Sequence, residues 1–227
     1  TRAEDGFRLT RKMLEERVTP RTKLLLLNFP NNPTGATLAR EDVAEIAAFA
    51  REHDLIVITD EIYAELSYDA PHSSIAAEPG MRERTLFLHG FSKAWAMTGY
   101  RMGYACGPEE LIEAMMKVHQ YTMLCASSFV QHAAIEALRQ PEEDIGIMRR
   151  EYERRRNFIV DAFREIGLPC ARPRGAFYAF PRIAGFGLSS TDFAFKLLEE
   201  EKVAAVPGTA FGACGEGYVR CAYAASK

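Results

Sequence analysis

Three short apolar runs, residues 23–27, 55–58 and 85–88, constrain this chain more than any other feature. Each is rich in Leu, Ile or Val and bounded by polar or turn-forming residues, as suits a strand buried on both faces. Between the first two, residues 41–53 place Val43, Ile46, Ala47 and Ala50 at helical spacing, with acids in the first turn and Thr37 near the start. Strand, helix, strand in that order predicts a parallel βαβ unit, hence an α/β fold on a mostly parallel sheet.

Further along, Pro108 is suited to open a helix, with Glu109 and Glu110 behind it and Leu111, Met115 and Val118 on one face. Residues 127–139 predict another helix, and Pro141 a break. The spacing of Ile145, Met148, Tyr152, Ile159, Phe163 and Ile166 predicts one helix over 142–166, about 37 Å long at 1.5 Å per residue, with Gly167 past its end. Its arginines (Arg149, Arg150, Arg154, Arg155, Arg156) alternate with Glu151 and Glu153 and read as a solvated face. Strands are then expected at 176–180, 203–206 and 218–223, with a helix near 191–202. The expected division is a large domain over 1–141, then a long interdomain helix and a smaller α+β domain over 142–227.

Composition narrows the function classes. With 28 basic and 31 acidic residues the net charge is −3, which gives no electrostatic case for nucleic acid. No apolar run is long enough to cross a bilayer. The five cysteines (Cys106, Cys125, Cys170, Cys214, Cys221) form no CxxC pair and no metal-ligand cluster, so free thiols, no metal and a cytoplasmic setting are expected. The chain starts at Thr1 and stops at Lys227 just after an expected strand, so a fold cut at both ends is expected.

In open α/β sheets ligands bind beyond the carboxyl ends of the strands. The first run is followed by Asn28-Phe29-Pro30-Asn31-Asn32-Pro33-Thr34-Gly35, the second by Asp60-Glu61-Ile62-Tyr63, the third by His89-Gly90-Phe91-Ser92-Lys93. Such a rim suits a ligand with an aldehyde, a phosphate and a basic ring nitrogen. Lys93 supplies the amine, Asp60 the carboxylate for the ring nitrogen, Tyr63 and Asn32 donors for a phenolic oxygen, and Arg101 with Ser92 a phosphate site. Singly, each has a plainer reading: a surface lysine, a helix-capping Asp60, a core Tyr63, an ion-paired Arg220. A Ser–Lys hydrolase leaves Asp60 and Arg101 unexplained, and adjacent side chains on an extended segment point to opposite faces.

The stretch Gly90-Phe91-Ser92-Lys93-Ala94-Trp95-Ala96-Met97-Thr98-Gly99-Tyr100-Arg101-Met102-Gly103 resembles the cofactor-lysine signature of class I/II aminotransferases, which are fold-type I pyridoxal-phosphate-dependent enzymes. Asn-Asn-Pro-Thr-Gly, Asp-Glu-Ile-Tyr, Pro207-Gly208-Thr209-Ala210-Phe211-Gly212 and Tyr218-Val219-Arg220 are similar to that family's other blocks, in the same order. The resemblance implies that Lys93 holds pyridoxal 5'-phosphate as a Schiff base and moves the Cα proton. It further implies that Asp60 pairs with the pyridinium nitrogen, that Tyr63 and Asn32 hold the phenolic oxygen, that Ser92 and Arg101 hold the phosphate, and that Arg220 clamps the substrate carboxylate, with Asn32 also in the substrate site. Many relatives carry a hydroxyl residue where this chain has Gly90, so a phosphate contact there would be a backbone amide or missing. The implied reaction moves an amino group from an amino acid to a 2-oxo acid, in a homodimer. A β-elimination lyase and a non-catalytic sensor module are the alternatives. Relatives also carry a longer N-terminal part that helps bind the phosphate, so the 227-residue chain alone is expected to bind cofactor weakly or be inactive.

Overall fold

A computed structural model describes residues 1–139 and 143–225. The expected break at Pro141, and with it the expected domain boundary, lies outside the described residues. The elements run α1 (Arg11–Glu15), β1 (Leu24–Asn28), α2 (Arg40–Glu52), β2 (Ile56–Asp60), β3 (Thr85–Gly90), β4 (Gly103–Cys106), α3 (Glu109–Thr122), α4 (Ser128–Arg139) and α5 (Glu143–Glu165). After these come β5 (Tyr178–Ala179), α6 (Ser190–Glu201), β6 (Val206–Pro207) and β7 (Val219–Ala222), with short 3-10 turns between.

The first four strands form one sheet in the order β1-β2-β3-β4. The first three are parallel, as the βαβ reading requires, and β4 runs antiparallel to β3. β4 has no counterpart among the expected strands. Asn28 is opposite Asp60, and Asp60 opposite Leu88, so the three parallel strands end together on one rim. The last three strands form a second, antiparallel sheet in the order β5-β7-β6. They are shorter than expected, and β6 lies three residues beyond the predicted start at 203.

One face of the parallel sheet is covered. Val43, Ile46, Ala47, Phe49 and Ala50 of α2 pack with Leu27, Leu55 and Val57, and Phe7 and Phe180 join the same cluster. Phe7 meets both Phe180 and Tyr218 edge-on, which ties the start of the chain to the second sheet. The other face departs from the expectation of double burial: Leu24 is 46% and Leu26 64% exposed. Alternate strand residues point to opposite faces, and Ile56, opposite Leu24, is also exposed on this one. The apolar stripe of α3 is likewise open, with no buried residue in the helix. Thr37 does not cap α2; the Asp42 carboxylate accepts from the Ala39 N–H at 3.0 Å and pairs with Arg8. That arrangement satisfies a first-turn donor from inside the helix.

The arginine run of α5 is only partly the solvated face it was expected to be. Arg149, Arg150 and Arg154 are exposed, but Arg156 is 1% exposed. Its guanidinium donates to Asp69 (2.9 Å), Glu153 (2.9 Å), the Pro173 carbonyl (3.1 Å) and Asn157 (3.0 Å), and lies 4.8 Å from the Tyr68 ring centre. Arg155 donates to the carbonyls of Ala224 (2.9 Å) and Ala225 (2.6 Å). A charge this buried persists only when its donors are matched, and both residues pin the long helix to segments far away in sequence. Among the described residues no helix is long and apolar enough to cross a membrane, and no cluster of His, Cys, Asp or Glu is arranged to hold a metal ion. The five cysteines are free thiols.

Candidate active site

The loop after β1 is built by its own side chains. Asn31 Oδ1 accepts from the Thr34 hydroxyl at 2.7 Å, and the Gly35 N–H donates to the Asn31 carbonyl at 2.8 Å. Gly35 has φ +68°, and a Cβ there would lie 2.4 Å from Pro173 Cβ; only glycine allows this approach. The loop therefore docks on the segment leading into β5. Asn32 faces the second sheet, and its Oδ1 accepts from Arg220 Nη1 at 2.9 Å.

Asp60 ends β2 half-buried, and its Oδ1 accepts from the Ile62 N–H at 3.2 Å, which fixes the turn that follows. The turn delivers Tyr63 into a buried position, its hydroxyl 2.9 Å from the Tyr178 hydroxyl. Burial, then the hydrogen bond with Tyr178, pushes the Tyr63 phenol well above its ordinary value, so it stays protonated and able to donate. Glu61, between the two, points away from the rim. It is buried, and accepts from Thr59 (2.9 Å) and Ser74 (2.9 Å) and contacts His72 Nε2 (2.6 Å).

Lys93 follows β3. Its Nζ lies 5.5 Å from the ring centres of both Tyr63 and Phe177. Partial burial, then the positive charges of Arg101 and Arg220, lowers its pKa. An amine so depressed is unprotonated, hence nucleophilic, in a larger fraction of molecules near neutrality. Arg101 is exposed, adopts φ +55° and donates from Nη1 to the Thr98 carbonyl at 2.9 Å; the Thr98 hydroxyl donates to the Ser92 carbonyl at 2.9 Å. One turn thus holds Ser92, Lys93 and Arg101 together.

At Gly90 the expectation was a backbone amide contact or none. A Cβ there would lie 2.9 Å from the Met102 carbonyl and 3.0 Å from Gly103 Cα, so the close pairing of β3 and β4 excludes a hydroxyl side chain. The backbone alternative is also closed at this residue: the Gly90 N–H donates to His89 Nδ1 at 2.8 Å. His89 is buried, and its Nε2 is 3.1 Å from Glu65. With Nδ1 accepting, the proton sits on Nε2 and points at the carboxylate.

Arg220 enters from β7. Its guanidinium carbon lies 4.5 Å from the Tyr178 ring centre and 5.0 Å from that of Phe211. Nη1 is engaged by Asn32, whereas the buried Nε has no hydrogen-bond partner among the described residues. A buried donor without a partner is costly, and this one lies on a guanidinium edge shaped for a carboxylate. The structure thus brings together Asn32, Tyr63, Lys93 and Arg220, with Asp60 at the root of the turn carrying Tyr63 and Arg101 near enough to act on Lys93.

The class I and II aminotransferase family matches residues 1–227. The chain belongs to that family. Aromatic-amino-acid aminotransferase 2 of Thermococcus litoralis is 49% identical over 227 residues, covering 99% of this chain and 58% of that protein. An aspartate aminotransferase of Pyrococcus abyssi is also 49% identical, with the same coverage of both proteins. The crystal structure of an aromatic aminotransferase from Pyrococcus horikoshii OT3 superposes with a TM-score of 0.97 at 48% identity, covering all of this chain and 61% of that one. The chain spans 58% of the length of these curated relatives. Its mixed α/β fold with a mostly parallel sheet matches the solved aminotransferases. Within this aminotransferase fold the sequence reading missed Tyr178, Phe177 and Phe211. Phe177 and Tyr178 stand in an aromatic stretch that reads equally well as strand or loop core, Phe211 stands in a block quoted without a role for it, and only distant partners give the three a place in the site.

Proposed function

We propose that the protein catalyses pyridoxal-5'-phosphate-dependent transamination, moving an amino group from an amino acid to a 2-oxo acid. The observation that carries this reading is the convergence of the Lys93 amine, 5.5 Å from the Tyr63 ring centre, with Asn32 and an Arg220 whose buried Nε has no partner among the described residues. The residues present fit the cofactor: an amine for its aldehyde, a carboxylate, phenol and amide donors, and an arginine beside the lysine. When bound, pyridoxal phosphate supplies an aldehyde for amines and a protonated ring that takes up the electron pair left at the substrate Cα.

The chain's own groups then divide the work. Lys93 Nζ would hold the cofactor through its aldehyde and, as the base nearest the substrate Cα, would carry the proton that leaves it. The Asp60 carboxylate keeps the ring nitrogen protonated. Tyr63 and Asn32 donate to the phenolic oxygen; Asn32 Oδ1 is engaged by Arg220, which leaves its Nδ2 as the donor. Ser92 and Arg101 hold the phosphate. The free edge of Arg220 clamps the substrate α-carboxylate through paired N–H groups.

The same reading assigns residues 1–141 to the large cofactor-binding domain and 142–227 to the interdomain helix and small domain, in a cytoplasmic homodimer. Exposed apolar side chains at Leu26, Val118, Tyr121, Leu124 and Phe129 support burial against further protein. A panel of amino donors with 2-oxoglutarate tests the reaction. Stoichiometric glutamate formation is expected; release of ammonia and an oxo acid without 2-oxoglutarate would contradict transamination and point to a β-elimination lyase.

A further inference from the structure

We propose that Tyr178 is a positioning residue that couples the Tyr63 hydroxyl to the Arg220 guanidinium, so that one side chain sets both the cofactor-oxygen donor and the carboxylate clamp. This rests on the roles given above to Tyr63 and Arg220. Tyr178 is 7% exposed, and two of its contacts differ in kind. Its hydroxyl is 2.9 Å from that of Tyr63, and its ring face lies 4.5 Å from the guanidinium carbon of Arg220. The second sheet explains the placement: β5, which opens with Tyr178, pairs with β7, which carries Arg220.

The direction of the hydroxyl pair follows from counting protons. A phenol has one proton to give. If Tyr63 gives its proton to a ligand oxygen, the proton between the two hydroxyls belongs to Tyr178, so Tyr178 donates and Tyr63 accepts. Accepting polarises the Tyr63 O–H and makes it a stronger donor, as in any chain of hydrogen bonds in a low-dielectric interior. The ring contact acts on the other partner. The π face attracts the guanidinium and, with Phe211 on the same group and Asn32 on Nη1, holds the arginine with Nε unpaired. The hydroxyl serves Tyr63, whereas the ring serves Arg220 and also meets the Tyr63 ring edge-on at 5.9 Å, so removing the hydroxyl alone isolates its effect.

Tyr178→Phe removes the hydroxyl and keeps the ring; Tyr178→Leu removes both. The measurement uses the full-length holoenzyme: the pH midpoint of the cofactor's visible absorbance, and KM and kcat for an amino-acid substrate. With Tyr178→Phe, weaker donation to the phenolic oxygen leaves it more negative and better able to hold the neighbouring proton. The midpoint is expected to rise by about 0.3 pH unit, a twofold change in acidity, with KM changed less than about twofold. With Tyr178→Leu the same rise is expected together with a KM increase of about fivefold. If the Leu variant does not fold, Tyr178→Met is read in its place. An unchanged midpoint in Tyr178→Phe, or an unchanged KM in the variant lacking the ring, overturns the coupling. An unsubstituted protein with no titrating visible band overturns the underlying assignment of Lys93 and Tyr63, and the coupling with it.

Discussion

Lys93 owes its lowered pKa to position. It leaves the end of a buried strand, rests between Tyr63 and Phe177, and is pressed by the charges of Arg101 and Arg220. Arg220 is the complementary group, and its geometry gives a sharp expectation. Arg220→Lys keeps the charge but loses the planar fork, so KM for the amino-acid substrate should rise about tenfold or more with a smaller change in kcat. Steady-state kinetics check this; an unchanged KM would remove the clamp role. Lys93, Asp60 and Asn32 were legible in the sequence because each stands in the short segment that follows an apolar run, where a strand end delivers it to the rim. Tyr178 was not: its hydroxyl partner is 115 residues away, and nothing local distinguishes it from a core aromatic. Gly90 was legible as an oddity, but its cause, the Met102–Gly103 backbone, is a tertiary contact.

Among the elements, α2 and the long α5 were visible from periodicity to within a residue or two, because each carries many turns of consistent spacing. β4 was not, since Gly103–Cys106 is short and begins on the last residue of the segment read for its chemistry. The face of α5 was also misjudged. Composition marks five arginines as solvated, and only the fold shows that Arg156 is enclosed by Asp69, Pro173 and Tyr68. Arg156→Met should therefore destabilise the protein by about 3 kcal/mol, because it strands the carbonyl and carboxylate it serves. Arg149→Met, on the exposed side, should stay within about 0.5 kcal/mol. Denaturant unfolding compares the two, and equal effects would mean that the buried arginine does not anchor the helix.

At the scale of the whole molecule, the two sheets are joined by the cluster in which Phe7 and Phe180 meet the core of α2, and the site lies where Asn32 from one sheet's loop meets Arg220 of the other. The parallel sheet and the order of its parts were legible; the open face of β1 was not, because an apolar run looks alike whether one side or both are covered. Cysteine chemistry reports the same architecture. Burial raises the Cys170 and Cys221 thiols to about 11, while Cys106, Cys125 and Cys214 are exposed. The thiolate is the nucleophile, so at pH 8 iodoacetamide should label the three exposed cysteines quickly and the other two slowly in the native protein, with all five equal after denaturation. Fast native labelling of Cys170 or Cys221 would contradict the packing around the second sheet.

The account stands on one covalent bond. Borohydride reduction of the full-length protein loaded with pyridoxal phosphate, followed by peptide mapping, should place the label on the peptide carrying Lys93 and abolish the label in Lys93→Ala. Label on any other lysine, or undiminished label in that variant, would contradict it.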